Sequence, residues 1–243
     1  MLEVVMNKPI MIALDFPSVS QVNQFLNQFE DPSQLTVKIG MELFYQAGPE
    51  VVKQIKQRGC KIFLDLKLFD IPHTVEKAME QLGALGVDYT TVHTLGGQAM
   101  MEAAKRGLKA GAEKAGLPEP HLLGVTELTS ISQTVLENEQ NCKLPMNEQV
   151  VALAKLAQKS GCDGVITSAL ELKDLTSALG TDFEYVVPGI RMQQDAAGDQ
   201  SRVATPATAK ADGAFAIVVG RPITQSQNPI AAYERYIKDW NLK

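Results

Sequence analysis

Short, nearly continuous apolar runs recur along the chain, and most are followed by a stretch whose apolar positions fall three and four apart. The first run covers 9–15 and closes on Asp15. After a Phe-Pro turn, Ser18 is placed to cap a helix carrying Val22, Phe25, Leu26 and Phe29. A second strand is predicted over 35–40, with Lys38 near its C-terminal end, and a helix over 48–58. The stretch 61–72 begins as an apolar strand and ends as a turn, where Pro72 stops regular pairing. A helix at 73–85 follows, with Val75, Met79 and Leu82 on one stripe, then a strand at 87–93 and a helix at 97–114. A fifth strand, 122–127, leads into a polar connection, 128–144. Helices are then expected at 146–160, 169–179, 206–211 and 229–240, and strands at 163–167, 185–189 and 215–219. Between the last two strands lies a loop, 191–205, rich in Gln, Asp, Gly and Ala.

Eight strand–helix units with short apolar strands predict a parallel sheet. At 243 residues, eight units predict a closed (β/α)8 TIM barrel of the α/β class, one domain spanning 1–243. An open doubly wound sheet is the rival, but no Gly-x-Gly-x-x-Gly follows the first strand.

Composition narrows the reading. Apolar residues make up 45% of the chain, enough for one large core. No apolar run approaches the ~18 residues of a membrane helix, so no membrane partner is expected. The first eight residues lack the apolar core of a signal peptide, and Cys60, Cys142 and Cys162 are few and widely spaced. Both point to a cytoplasmic protein with reduced thiols. The net charge of -5 argues against nucleic acid as a partner. An anionic ligand must then be held by a few local cations.

Three charges stand out in the third strand and its turn: Asp65, Lys67 and Asp70. Alternation along a strand sends Asp65 and Lys67 to one side and Leu64, Leu66 and Leu68 to the other. Charges in a strand otherwise built for burial must neutralise one another or face a water-filled pocket. An ion pair at a strand end satisfies that demand, and so does an ammonium held between carboxylates at an active site.

Barrels of this kind carry their sites at the C-terminal strand ends. There the chain offers Asp15, Lys38, Asp65 with Lys67, His93, Thr126 with Thr129, Arg191 and Gly220-Arg221. Each has a structural alternative: Asp15 as a helix cap, Lys38 reaching to water, His93 packed and hydrogen-bonded, the threonines satisfying loop backbone. Gly220 allows close backbone approach beside Arg221, and strands seven and eight of such barrels often bind phosphate. The histidines His73, His93 and His121 lack ligand spacing for a metal, and no Ser-His-Asp or Cys-His set is apparent. The residues propose a small phosphorylated substrate anchored by Arg, with a Lys-Asp network at its reactive end.

The stretch Asp65-Leu66-Lys67-Leu68-Phe69-Asp70-Ile71-Pro72-His73-Thr74 resembles the D-x-K-x-x-D-I-P-x-T motif of the orotidine 5'-phosphate decarboxylase family. Lys38-Ile39-Gly40-Met41-Glu42-Leu43-Phe44, Val125-Thr126-Glu127-Leu128-Thr129-Ser130, Pro188-Gly189-Ile190-Arg191, Asp199-Gln200-Ser201-Arg202-Val203 and Val219-Gly220-Arg221 resemble further segments of it, in order. The resemblance implies conversion of orotidine 5'-monophosphate (OMP) to uridine 5'-monophosphate (UMP) and CO2, with no cofactor and no metal. It implies Lys67 as proton donor to C6, held by Asp65. It implies Lys38 and Asp15 at the ribose hydroxyls and Thr129 near the pyrimidine. Gln200, Arg191 and Arg221, with the Gly220 backbone, would bind phosphate. It also implies a homodimer in which Asp70 and Thr74 reach into the partner's site. The polar composition of 191–205, with Arg191 and Gln200, predicts a mobile lid that closes over phosphate. Related barrels share D-x-K-x-x-D, so a metal-dependent 3-keto-sugar-phosphate decarboxylase or aldolase stays open as an alternative. A non-catalytic phosphoribosyl-ligand binding protein also stays open.

Overall fold

Eight parallel strands close into a barrel in a computed structural model that describes residues 8–192, 195 and 204–242. The strands are β1 (Ile10–Ala13), β2 (Thr36–Gly40), β3 (Lys61–Leu68), β4 (Tyr89–His93), β5 (His121–Val125), β6 (Gly164–Ile166), β7 (Glu184–Val187) and β8 (Ala216–Val219). Each pairs with its neighbours in sequence, and β1 pairs with β8. The expected (β/α)8 barrel is the fold observed.

Alternation along the strands makes two cores. Met11, Ala13, Phe63, Tyr89, Leu123, Val186, Ala216 and Val218 cluster inside the barrel. Their strand neighbours, Ile12, Ile62, Leu64, Leu122 and Val187 among them, pack outward against the helices. On β3 the inward series therefore runs Phe63, then Asp65. The charged residues sit directly above an apolar plug.

The helices are α1 (Val19–Leu26), α2 (Met41–Ala47), α3 (Pro49–Gln57), α4 (Pro72–Leu85), α5 (Gly97–Ala115), α6 (Gln133–Asn138), α7 (Met146–Lys159), α8 (Leu172–Leu179), α9 (Pro206–Ala211), α10 (Arg221–Thr224) and α11 (Pro229–Trp240). Ser18 caps α1 by accepting from the Gln21 N–H. Pro72, Pro206 and Pro229 open α4, α9 and α11, where a missing N–H costs nothing. Three short helices were not legible in the pattern: α2, α6 inside the polar connection, and α10. Each buries a single residue, Leu43, Leu136 or Ile223, too few to write a helical stripe.

α4 and α5 meet backbone to backbone. A Cβ at Gly107 would stand 2.1 Å from the Glu76 carbonyl oxygen, and one at Gly111 1.9 Å from that of Glu80. Backbone cannot step aside as a flexible side chain can. Gly111→Ala should therefore force the helices apart and lower stability by about 1–3 kcal/mol. Urea unfolding measures this; a midpoint equal to wild type would show that the close approach does not constrain the pair.

Candidate active site

Four side chains of alternating charge form a row across the C-terminal ends of β1, β2 and β3. Asp15 Oδ1 lies 3.1 Å from Lys38 Nζ, and Lys38 Nζ lies 4.0 Å from Asp65 Oδ2. Lys67 Nζ donates to both oxygens of Asp65, at 2.9 and 2.8 Å. Lys38 and Asp65 have side chains only 12% and 13% exposed, so neither charge is left to solvent. Lys38 therefore does not reach for water, and Asp15 is an ion-pair partner while Ser18 does the capping. Gly40 makes room for the row: a Cβ there would stand 3.1 Å from Lys38 Nζ and 3.2 Å from Asp15 Oδ1.

Asp65 and Lys67 do reach one side, but not by regular alternation. Leu64 pairs with Thr90 and Leu68 with Val92, so Asp65, Leu66 and Lys67 stand against Thr91 alone. This bulge puts Lys67 at φ 51°, a left-handed conformation uncommon for a side chain of its length. Thr91 holds the irregularity. Its Oγ1 accepts from the Lys67 backbone N–H at 2.8 Å and donates to Asp65 Oδ1 at 3.0 Å. One hydroxyl thus fixes the backbone of one charged residue and the carboxylate of the other. Leu66 and Leu68 pack outward against the helix-side core.

The row borders a cavity of about 240 Å³. Lys38, Asp65 and Lys67 make its charged corner. Glu127, Leu128, Thr129 and Ser130 line it from the loop after β5. The remaining wall is mostly apolar: Phe63, Val125, Ile166, Pro188 and Val218, with Thr167 just past β6. Glu127 is buried and accepts from Gln140 and Gln149, tying the long connection and α7 to the cavity. Thr126 donates its hydroxyl to the Ile166 carbonyl and is spent on backbone. His93 stacks near Phe69 and accepts from the Leu95 N–H through Nδ1. Burial holds its imidazole below the ordinary range, against the pull of Glu127 and with a small push from Lys67. A packed, hydrogen-bonded histidine is what the geometry supports.

Of the other residues singled out in the sequence, Asp15 flanks the cavity through Lys38. Gly220 lies close by, since a Cβ there would be 3.9 Å from Asp15 Oδ2. Arg221 opens α10 and is exposed, and Arg191 is buried, donating to the Ile190 carbonyl. Gln200 and most of 191–205 lie outside the described residues. Asp70 and Thr74 are exposed and do not line the cavity; Asp70 Oδ1 accepts from the Ile71 N–H at 2.6 Å. Thr91, Glu127 and Thr167 escaped the sequence reading as site residues. Thr91 sits mid-strand, and only the bulge opposite it gives it a task. Glu127 fell within a recognised segment, but its burial depends on glutamines 13 and 22 positions away.

A sequence profile described as orotidine 5'-phosphate decarboxylase / HUMPS family matches residues 8–236. The chain belongs to this family. A family member from Lactobacillus acidophilus, named orotidine 5'-phosphate decarboxylase, is 56% identical over 236 residues, covering 97% of this chain and 100% of the relative. One of the same name from Lactobacillus delbrueckii subsp. bulgaricus is 53% identical over 236 residues, covering 97% and 98%. The crystal structure of orotidine 5'-phosphate decarboxylase from Lactobacillus acidophilus superposes with a TM-score of 0.88 at 53% identity, covering 97% of this chain and 100% of that one.

The bulge predicts a specific weakness. Thr91→Val keeps the side chain's shape but strands the Lys67 N–H and leaves Asp65 Oδ1 with Lys67 Nζ as its remaining donor. Stability should fall by about 1–3 kcal/mol, and Thr91→Ser should restore most of it. Denaturant titration of both variants checks this; equal stability of the Val variant and wild type would mean that the hydroxyl does not hold the bulge.

Proposed function

We propose that this chain is an orotidine 5'-phosphate decarboxylase, converting OMP to UMP and CO2 without a cofactor. We propose that it does so as a single-domain, cytoplasmic homodimer. The observation that carries the reading is Lys67: its ammonium borders the cavity while both oxygens of one carboxylate hold it in place. Breaking the bond between C6 and the carboxylate leaves the electron pair on an sp² carbon, outside the ring π-system. An ammonium fixed where that charge develops stabilises it. Lys67 Nζ then gives its proton to C6, becomes a neutral amine, and regains a proton from water. Asp65 positions Lys67. Lys38 and Asp15 take the ribose hydroxyls, and Thr129 meets the pyrimidine. Arg191, Gln200, Arg221 and the Gly220 backbone take the phosphate.

The alternative, a metal-dependent 3-keto-sugar-phosphate decarboxylase or aldolase, needs carboxylates turned to a cation such as Mg²⁺. Here Asp65 gives both oxygens to Lys67, and Asp15 gives one to Lys38. Cytoplasmic residence is supported by three unpaired thiols. Burial pushes that of Cys60 up to about 11 and that of Cys162 up to about 12. No helix among the described residues is long and apolar enough to cross a membrane.

The shared site is supported by the turn after β3. Phe69 and Ile71 are 61% and 65% exposed on either side of Asp70, an apolar pair suited to a second subunit. In that arrangement Asp70 and Thr74 enter the partner's site.

UMP formation from OMP should persist in excess chelator, and its loss there would favour the metal-dependent alternative. Lys67→Ala should abolish turnover while UMP still binds; turnover within tenfold of wild type would refute the proton-donor role. The dimer gives an arithmetic test. Lys67→Ala and Asp70→Ala should each be nearly inactive alone. Refolded together in equal amounts, about half the dimers are mixed, so roughly one site in four regains wild-type composition. No recovered CO2 release, with mixed dimers shown to form, would reject the shared site.

A further inference from the structure

Phosphate binding by Arg191 depends on where its guanidinium points, and the described residues around it show what holds its backbone. Ile190 bridges to Ala204, and the Arg191 N–H donates to the Ala204 carbonyl at 2.9 Å, so the chain leaving β7 meets the chain that returns toward α9. Just beyond Arg191, Met192 and Asp195 close a turn in both directions. The Asp195 N–H donates to the Met192 carbonyl at 3.0 Å, and Asp195 Oδ2 accepts from the Met192 N–H at 2.9 Å.

That turn is fastened to α11 by a group that packing does not require. Tyr236 is 0% exposed and belongs to the helix-side core, where a phenylalanine ring would fill the same space. Its hydroxyl donates to Asp195 Oδ2 and accepts from the Met192 N–H at 3.3 Å. Burial and then Asp195 push the phenol up, so it keeps the proton it donates, while the Met192 N–H and the Arg191 charge pull the other way. Arg191 is thus near enough for its charge to be felt at the hydroxyl. One turn along α11, Asp239 Oδ2 accepts from the Ala207 N–H at 3.0 Å. Residues three apart share a helix face. A single face of α11 therefore holds the chain on both sides of the junction between Arg191 and Ala204. Arg191 itself is buried, with Nη1 donating to the Ile190 carbonyl at 2.8 Å. A planar guanidinium enclosed in this way presents its other N–H groups in the direction that its backbone dictates.

We propose that Tyr236 is a positioning residue for phosphate binding: its hydroxyl, through Asp195 and the Met192 N–H, sets the backbone from which Arg191 presents its guanidinium. The inference rests on the decarboxylase reading above, in which Arg191 takes the phosphate. It predicts that Tyr236, which does not line the cavity, acts on the phosphate end of the substrate and leaves the base and ribose ends untouched.

The test compares Tyr236→Phe, Asp195→Ala, the double variant and wild type, with UMP, ribose 5-phosphate and uridine as probes in calorimetry. Each single variant should weaken UMP and ribose 5-phosphate about five- to tenfold and leave uridine, which has no phosphate, within about twofold of wild type. KM for OMP should rise by the same factor as UMP affinity falls. The double variant should bind no more weakly than either single one, because both substitutions cut one connection. If Tyr236→Phe does not fold, Asp195→Ala cuts that connection from outside the core and should show the same phosphate-specific loss. Variants that bind UMP as wild type does would overturn the proposal. So would losses that add in the double variant, or uridine weakened as much as ribose 5-phosphate, which marks a merely structural role. Wild type failing to convert OMP would instead overturn the decarboxylase reading, so the two failures are distinguishable.

Discussion

The row Asp15, Lys38, Asp65, Lys67 is stable only as a row. Each inner member, Lys38 and Asp65, neutralises a neighbour on both sides, and neither of these two can be removed without leaving like charges facing one another. Removing one partner of a buried ion pair typically costs about 3–5 kcal/mol, most of it the stranding of the other charge. Here the loss of Asp65 would leave two ammonium groups, Lys38 and Lys67, without the carboxylate that separates them. The constraint also has a use. Charges locked in place before the substrate arrives need little reorganisation when charge moves, which is the condition under which electrostatic stabilisation is most effective. A carboxylate brought up to this row meets Asp65 as well as Lys67. In the proposed reaction its departure as neutral CO2 takes one negative charge away from Asp65 and leaves the electron pair within reach of the Lys67 ammonium. In the proposed reaction, positioning of Lys67 is role enough for Asp65 without invoking strain in the substrate.

Such a row cannot be built on regular strands alone. Asp65 and Lys67 are two apart on one strand, and a flat strand would space them along the barrel wall. The bulge brings them into a chelate, with three residues of β3 against Thr91. The left-handed backbone at Lys67 and the hydroxyl of Thr91 belong to the same device. Strain of this kind persists only where its surroundings over-determine it. Those surroundings are the apolar plug below, Phe63 against Tyr89, and the helix-side packing of Leu64, Leu66 and Leu68.

The same logic explains what could be read from the sequence and what could not. The barrel was legible because eight short apolar runs recur at regular spacing, and a parallel sheet buried on both faces needs such runs. The charged row was legible because Asp15, Lys38, Asp65 and Lys67 break that apolar pattern at strand ends, where each requires a partner. Thr91 broke nothing: threonine is a good strand residue, and its task exists only because the opposite strand bulges. The short helices α2, α6 and α10 were missed because each has a single buried residue and no period to detect.

One segment would join the charged row to the proposed dimer contact. β3 ends at Leu68 and α4 begins at Pro72, so three residues separate the strand that carries Asp65 and Lys67 from a helix. That helix is locked against α5 where Gly107 and Gly111 admit the carbonyls of Glu76 and Glu80. Both ends of the segment are thus fixed, one by the barrel and one by the helix pair. Between them Phe69 and Ile71 stand largely exposed around Asp70. Folding alone does not explain two exposed apolar side chains on a segment held this firmly. The proposed dimer would explain them as an apolar seal around a carboxylate entering the second subunit's cavity, and the position of Asp70 there would then depend on how closely two helices pack in its own subunit.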